Sequence, residues 1–387
     1  MSVRISATDL GSAKTCTRRV FLDYHGDRRL RVPPSQFDEW VKQRGEDFEE
    51  EVVARYRVKS PIYRRRDLDA GFQATLELMQ QGAPYIYQGV LIDGDLGGIP
   101  DLMERMDGGS RLGGFYYRPI DVKLAHEAKE EHRLQVMAYI AMLEAIQGVR
   151  PDGSLFLRIP PEQGCQDLCC EEMVAYDPLV FRQHLDEVRE LASGNYEPLP
   201  FISSVCKSCA WQEVCAGLAE QSQDVSLIAG LRRAAWEGLH QRRIGSLAAV
   251  AAARPEQLIN IKGIGQKTAV SIIQQAQALT SGQSIQTGNP ELPQSEIEIY
   301  FDVESVPFEG IVYLTGTVIR EGKRTQFEYE LAKSVHDERY MWDDFLRRMS
   351  RTPGWVFHYG FYERQVIDQL MGRYGEDGRA LDLLDRM

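Results

Sequence analysis

Gly98-Gly-Ile-Pro-Asp101-Leu-Met and, further on, Pro119-Ile-Asp121-Val-Lys123 decide how this chain is read. Both stretches predict strands, bounded by Asp-Gly and Gly-Gly turn signals. Side chains alternate along a strand, so Asp121 and Lys123 share one face and the Val122 carbonyl is left free to help hold an ion. Two carboxylates beside an ammonium have a recognisable chemistry. Hard divalent cations such as Mg²⁺ or Mn²⁺ take oxygen ligands, and such an ion activates a water and neutralises a phosphate. A lysine beside it orients or deprotonates the nucleophile and stabilises developing charge. Taken alone, the pattern is equally a turn aspartate plus a surface Asp–Lys pair, and the neighbouring residues have to choose between the two.

Working outward, hydrophobic periodicity predicts helices over 7–24, 39–56 and 70–81, the second with Val41, Phe48, Val52 and Val53 on one face. Strands are predicted over 85–92, 98–106 and 115–124, a helix over 127–145, a strand over 154–159 and a helix over 181–193. That order is an α/β core. With these elements in place, residues 1–220 resemble the RecB-like branch of PD-(D/E)xK nucleases, which includes CRISPR-associated adaptation nucleases and AddB-type repair nucleases. The resemblance implies a restriction-endonuclease-like fold. Gly45-Glu-Asp-Phe-Glu49 stands where that branch carries Gly-x-x-x-His or Glu on an early helix. It implies Glu49 as a metal ligand alongside Asp101 and Asp121, with Glu46 and Glu50 as competitors, and Lys123 as the residue assisting hydrolysis. Gln135-Val-Met-Ala-Tyr139 matches the branch's Gln-x-x-x-Tyr, two positions one helical turn apart. Gln135 is expected to support the site, and Tyr139 either to contact DNA or to pack in the core.

Seven cysteines are present, and Cys206-Lys-Ser-Cys209-Ala-Trp-Gln-Glu-Val-Cys215 clusters three of them. Three thiolates in one short loop need a fourth ligand to close a metal site. The segment around Cys16 resembles the N-terminal cysteine segment of the iron–sulfur members of the same branch. By that resemblance Cys16, Cys206, Cys209 and Cys215 hold a 4Fe–4S cluster, structural before redox, with tetrahedral zinc as the rival. A cross-link over so long a loop adds several kcal/mol. Cys165, Cys169 and Cys170 read as ordinary thiols.

Residues 221–285 read as short helices around Ile261-Lys-Gly263-Ile-Gly265-Gln-Lys-Thr268-Ala269, which resembles the hairpin of helix–hairpin–helix DNA-binding motifs. Glycine permits the tight turn, amides at the next helix start face a phosphate, and Lys262 and Lys267 add sequence-independent attraction. Gly263, Gly265 and Thr268 complete the expected contact set, with a plain helical connector or a protein-binding version as the alternative. The formal charge of the whole chain, −12, argues against a nucleic-acid partner. Within 221–285, however, seven basic residues face three acidic ones, a local +4. No internal repeat is evident.

Residues 281–295 read as a linker, and 296–387 as strands over 296–301, 311–319 and 324–331, a helix, a strand over 355–359 and another helix. Tyr300-Phe-Asp302-Val-Glu304 resembles the first motif of ribonuclease H-like 3′–5′ exonucleases, whose carboxylates bind two metal ions. His358-Tyr-Gly-Phe-Tyr-Glu363 falls where a second motif belongs, and Asp382 is a further candidate. The His or Tyr and Asp that such a domain carries on a later helix do not occur before Met387, so this second site reads as incomplete and inactive.

No apolar run approaches the roughly 20 residues that span a bilayer, and the N-terminus lacks the apolar core of a signal peptide. The combined expectation is a cytoplasmic Mg²⁺- or Mn²⁺-dependent DNA nuclease, exonuclease ahead of endonuclease, acting on single-stranded or end-containing DNA in repair or processing. The alternative is a non-catalytic nucleic-acid-binding scaffold that retains nuclease folds.

Overall fold

The structure, a computed structural model, describes residues 4–64, 66–159, 167–289, 291–306 and 310–387; Cys165 lies outside the described residues. Two compact units hold these residues, one containing 4–158 and 168–287 and the other 159, 167 and the described residues of 288–387.

The first unit opens with β1 (Ile5–Ser6), α1 (Ala7–Thr15) and α2 (Thr17–His25) where a single helix was expected. Cys16 is the break. Its extended backbone (φ −159°, ψ 106°) ends one helix and starts the next, which turns its thiol out of the helical repeat. After α3 (Gln36–Val53), β2 (Val58–Lys59) and α4 (Leu68–Gln80), the predicted strand over 85–92 is divided into β3 (Tyr85–Tyr87) and β4 (Leu91–Asp93). Gln88 between them takes a positive φ of 51°, which no strand accommodates. The strand over 98–106 is also divided, into β5 (Leu96–Gly98) and β6 (Leu102–Ser110). Pro100 lacks the N–H a ladder needs, so Asp101 sits just before a strand rather than within one. Next come β7 (Gly113–Lys123), α5 (Glu130–Gln147), β8 (Gly153–Arg158), β9 (Cys169–Val174) and α6 (Pro178–Ser193). β9 was not foreseen; it carries Cys169 and Cys170 along the edge of the sheet.

Six strands pair in the order β2-β3-β6-β7-β8-β9, and a small sheet pairs as β1-β5-β4. β6 and β7 form an antiparallel hairpin, while β8 returns parallel to β7 after the α5 crossover. β7 is therefore internal and buried from Pro119 to Val122. Ile120 and Val122 pack beneath Phe48, Val52 and Val53 of α3, so Asp121 must point the other way. There it meets α5.

The same unit continues through α7 (Gln212–Ser222), α8 (Arg233–Gln241), α9 (Leu247–Ala251), α10 (Pro255–Leu258) and α11 (Gln266–Ser281). Trp236, Leu239, Leu258, Ile261 and Ile272 supply a core of their own. A repeat that the sequence hid is visible here. Ile228, Gly230 and Leu231 before α8 recur as Ile261, Gly263 and Ile264 before α11, with φ of 73° and 86° at the two glycines. Arg232 and Gly265 are the corresponding N-caps. So few identical positions escape a search for self-similarity, although backbone and burial repeat.

The second unit runs β10 (Ile297–Val306), β11 (Ile311–Glu321), β12 (Arg324–Leu331), α12 (Glu338–Met349), β13 (Trp355–Phe357), α13 (Tyr362–Tyr374) and α14 (Gly378–Asp385). Its sheet order is β12-β11-β10-β13. Ile299, Phe301 and Val303 of β10 pack against Trp342, Phe345 and Leu370, which leaves Tyr300, Asp302 and Glu304 on the opposite, exposed face. Among the described residues, no helix is long and apolar enough to cross a membrane.

Candidate active site

Four sequence-predicted residues meet at the C-terminal end of β7. Asp121 is 1% exposed, and its Oδ2 forms an ion pair with the Lys123 ammonium. The same oxygen accepts no properly angled hydrogen bond from any described group. Asp101 Oδ2 accepts a hydrogen bond from the Val122 N–H at 2.6 Å, so the aspartate ahead of β6 is held by the residue between Asp121 and Lys123. Glu49, on the last turns of α3, accepts from Gln88 Nε2 at 3.1 Å, and the Gln88 N–H donates to the Asp101 carbonyl at 3.0 Å. The competitors turn away: Glu46 pairs with Lys42 on the helix surface and Glu50 is exposed.

Lys123 Nζ donates to Gln135 Oε1 at 3.3 Å, Gln135 Nε2 donates to Tyr139 Oη at 2.7 Å, and Tyr139 Oη donates to the Ile99 carbonyl at 3.1 Å. One turn of α5 thus fixes the lysine through an amide and a phenol. Tyr139 is 1% exposed and packs in the core of the unit. A hollow of about 290 Å³ opens beside the cluster, lined by Gln135 and Tyr139 with Ser6, Gly98 and Ile99.

The electrostatics follow from crowding. Burial raises the Asp101 carboxyl well above the usual range, and the Asp121 and Glu49 charges raise it further; Lys123 and the Val122 amide oppose them. Burial on its own would lower the Lys123 pKa, but Asp121, Asp101 and Glu49 outweigh it and hold the ammonium above its ordinary pKa. Three acidic groups around one base leave an excess of negative charge in a desolvated place, which a cation would relieve. The donor set, all carboxylate oxygen with one buried oxygen lacking a hydrogen bond, suits a hard divalent ion. The side chains are not drawn up around one: among the described residues no group of three or more His, Cys, Asp or Glu is arranged to hold a metal.

The cysteines converge from both ends of the nuclease fold. Cys206 lies in a 3-10 turn (Ser204–Ser208), Cys209 caps it, and Cys215 is buried in α7. Burial pushes the Cys215 thiol up to about 11, Arg18 opposes this, and Cys16, Cys209 and Cys206 each add to the rise. Burial likewise raises Cys209, with Cys16 and Cys206 contributing. Cys209 and Cys215 thus both feel Cys16 and Cys206, and four such sulfurs would suit a soft metal or cluster, although among the described residues they too stand outside ligand geometry. Trp211 locks the loop down, its Nε1 donating to Asp23 of α2 at 2.9 Å.

Lys262, Gly263, Gly265, Lys267 and Thr268 are all exposed around the start of α11. In the second unit, Asp302 and Glu304 share the exposed face of β10, while Asp382 pairs with Arg386 at 3.0 Å. Glu363 is buried beside His358 Nδ1 at 3.3 Å.

Sequence reasoning missed Tyr87 and Gln88, whose side chains meet at 3.0 Å beside Glu49. A Gln before a Gly carries no signal for a left-handed turn that presents an amide to a carboxylate. It also missed the hairpin at Ile228–Arg232, for which the positive-φ glycine was the available clue.

Comparison with known families gives the same order of folds along the chain. Residues 4–216 match the PD-(D/E)XK nuclease superfamily, 223–278 a SAM-like helix-hairpin-helix tandem, and 299–387 the RNase H superfamily. None of the curated proteins matches the chain significantly.

Proposed function

The chain belongs to the PD-(D/E)XK nuclease superfamily, and from that premise we propose that it is a divalent-metal-dependent deoxyribonuclease acting on single-stranded or end-containing DNA. The observation that carries this reading is the Asp101–Asp121–Lys123 group, Asp121 buried and its neighbours partly so, with Glu49 at its margin. Asp101, Asp121 and Glu49 would hold Mg²⁺ or Mn²⁺. When bound, such an ion supplies Lewis-acid charge to the scissile phosphate and lowers the pKa of a water. The protein does the rest. Lys123, kept protonated by its acidic neighbours, places a fixed positive charge where the phosphorane builds up negative charge. Gln135, pinned by Tyr139, stops that ammonium from swinging away. Gln88 sets the rotamer of Glu49.

Cys16, Cys206, Cys209 and Cys215 we assign to a structural 4Fe–4S cluster, supported by their convergence and mutual influence. The hairpin residues Lys262, Gly263, Gly265, Lys267 and Thr268 would hold the DNA backbone without reading sequence, and the Ile228–Arg232 hairpin repeats their geometry.

The test is an anaerobic preparation assayed for iron, for sulfide and for Mn²⁺-dependent cleavage of end-labelled single- and double-stranded DNA. Asp121→Ala should abolish cleavage and leave the iron content intact. Cleavage equal to that of the parent protein would refute the site. A colourless protein holding zinc would refute the cluster alone.

A further inference from the structure

Arg55-Tyr-Arg57-Val-Lys59-Ser-Pro-Ile-Tyr-Arg64-Arg-Arg66 packs six basic residues into one stretch of a chain whose net charge is −12, with no acidic residue among them. Exposure alternates along its first half, which runs from the turn after α3 into β2. Tyr56 and Val58 pack against the core beneath α3, Tyr56 lying 4.8 Å from the Tyr85 ring, while Arg55, Arg57 and Lys59 face solvent. Tyr63 anchors the second half against Gly71 of α4, where an added Cβ would come within 2.9 Å of its ring. Arg64 and Arg66 are exposed again. Arg55, Arg57, Lys59, Arg64 and Arg66 form no ion pair among the described residues, although acidic residues outnumber basic ones in the chain.

The position of this ribbon gives it meaning. β2 pairs in parallel with β3, Lys59 opposite Ile86, and β3 pairs with β6, Tyr87 opposite Leu102. Asp101 is the residue before Leu102, and Glu49 lies on the helix that runs directly into Arg55. The ribbon therefore leaves the sheet edge level with Asp101, two strand spacings or roughly 10 Å from its backbone, with Asp121 one strand further in. An edge strand needs a lysine or a proline to repel other strands, and Lys59 with Pro61 satisfies that need. The arginines exceed it.

We propose that residues 55–64, with Arg66, form a track for the phosphodiester backbone of the strand being cut, delivering it to the Asp101–Asp121 site. This rests on the nuclease reading and names a contact that reading lacks. Five unpaired cations beside a cluster of carboxylates also solve an electrostatic problem: a polyanion cannot approach such a cluster unless positive charge lines its path. The contacts are to phosphate, so the track is indifferent to base sequence.

The test compares the full-length protein with R55Q/R57Q/K59Q and, separately, R64Q/R66Q. Binding of a fluorescent single-stranded oligonucleotide is measured in EDTA across a salt series, with Mn²⁺-dependent cleavage run in parallel. The triple variant should bind about tenfold or more weakly at moderate salt. The slope of log affinity against log salt should fall by about 2, as loss of three single-strand phosphate contacts requires. The double variant should lose less in both. At saturating DNA, kcat should stay within about twofold of the parent. Unchanged affinity and slope in both variants would overturn the track, as would a variant that self-associates yet binds DNA as before, since the cations would then serve edge protection only. Failure of the nuclease reading looks different: the parent protein would bind through the ribbon, with the predicted salt response, and cut nothing.

Discussion

Asp121 and Asp302 both occupy an internal strand, and each has a charged residue two positions further on its own face, yet their surroundings are opposite. Asp121 is sealed beneath α5, crowded by Asp101, and faces a lysine that Gln135 and Tyr139 hold in place. Asp302 is exposed on the sheet face opposite the helical core of its unit; among the described residues its Oδ1 accepts only from the neighbouring Val303 N–H, and the partner on its face, Glu304, is acidic. Strand position brings carboxylates together in both units. Only in the first does the protein also withhold water and supply a fixed cation, which makes excess negative charge costly until an ion is bound.

The largest effect should separate the two regions. Asp121→Ala is expected to lower metal-dependent cleavage by at least about 10³-fold, whereas Asp302→Asn with Glu304→Gln should leave it within about twofold. Comparable losses in the two variants, measured as initial rates on labelled DNA, would erase the contrast.

The proposed cysteine site would sharpen it differently, because it would stabilise one unit and not the other. Replacing Cys209 and Cys215 together by Ser should cost about 3–5 kcal/mol in urea unfolding, as removal of a long-range cross-link does, with loss of bound iron. Cys169→Ser with Cys170→Ser should change neither.

How legible was this contrast in the sequence? The strand–helix order of the nuclease unit, the shared face of Asp121 and Lys123, and the one-turn spacing of Gln135 and Tyr139 were readable because periodicity alone sets them. The breaks at Cys16, Gln88 and Pro100 were not anticipated. Each is a local backbone departure, and windows of hydrophobicity average over single residues. Pro100 carried a usable signal; Gln88 carried none. The paired hairpins escaped because geometry was repeated with few identities. The basic ribbon lay in plain view but was obscured by the acidic total, since net charge says nothing about where charge is placed. The solvated state of Asp302 and Glu304 could not be read at all, because an Asp-x-Glu strand looks the same whether or not its face is covered.

A smaller effect probes how Lys123 is held. Tyr139→Phe removes the phenol that joins Gln135 to the Ile99 carbonyl, leaving the Gln135 amide and a part-buried carbonyl without that partner. It should cost about 1–3 kcal/mol of stability and lower kcat more than it raises KM.

The smallest runs in the stabilising direction. Asp101 has a raised carboxyl pKa, so its charge opposes folding of the metal-free protein. Stability should fall as pH rises from about 4, the unfolded value, through the raised folded value. Asp101→Asn keeps the acceptor for Val122 and removes the charge. It should raise the metal-free melting temperature at neutral pH by about 2–4 °C, the shift that about 1 kcal/mol gives in a domain of this size, and flatten that pH dependence. Its cleavage should be lost.

The most direct measurement is anomalous scattering at the manganese edge from crystals grown with Mn²⁺. The expected result is a peak flanked by the Asp101 and Asp121 carboxylates, within reach of Glu49, and absent from crystals of Asp121→Asn. A peak at Asp302 and Glu304 with none at Asp121 would contradict the account outright.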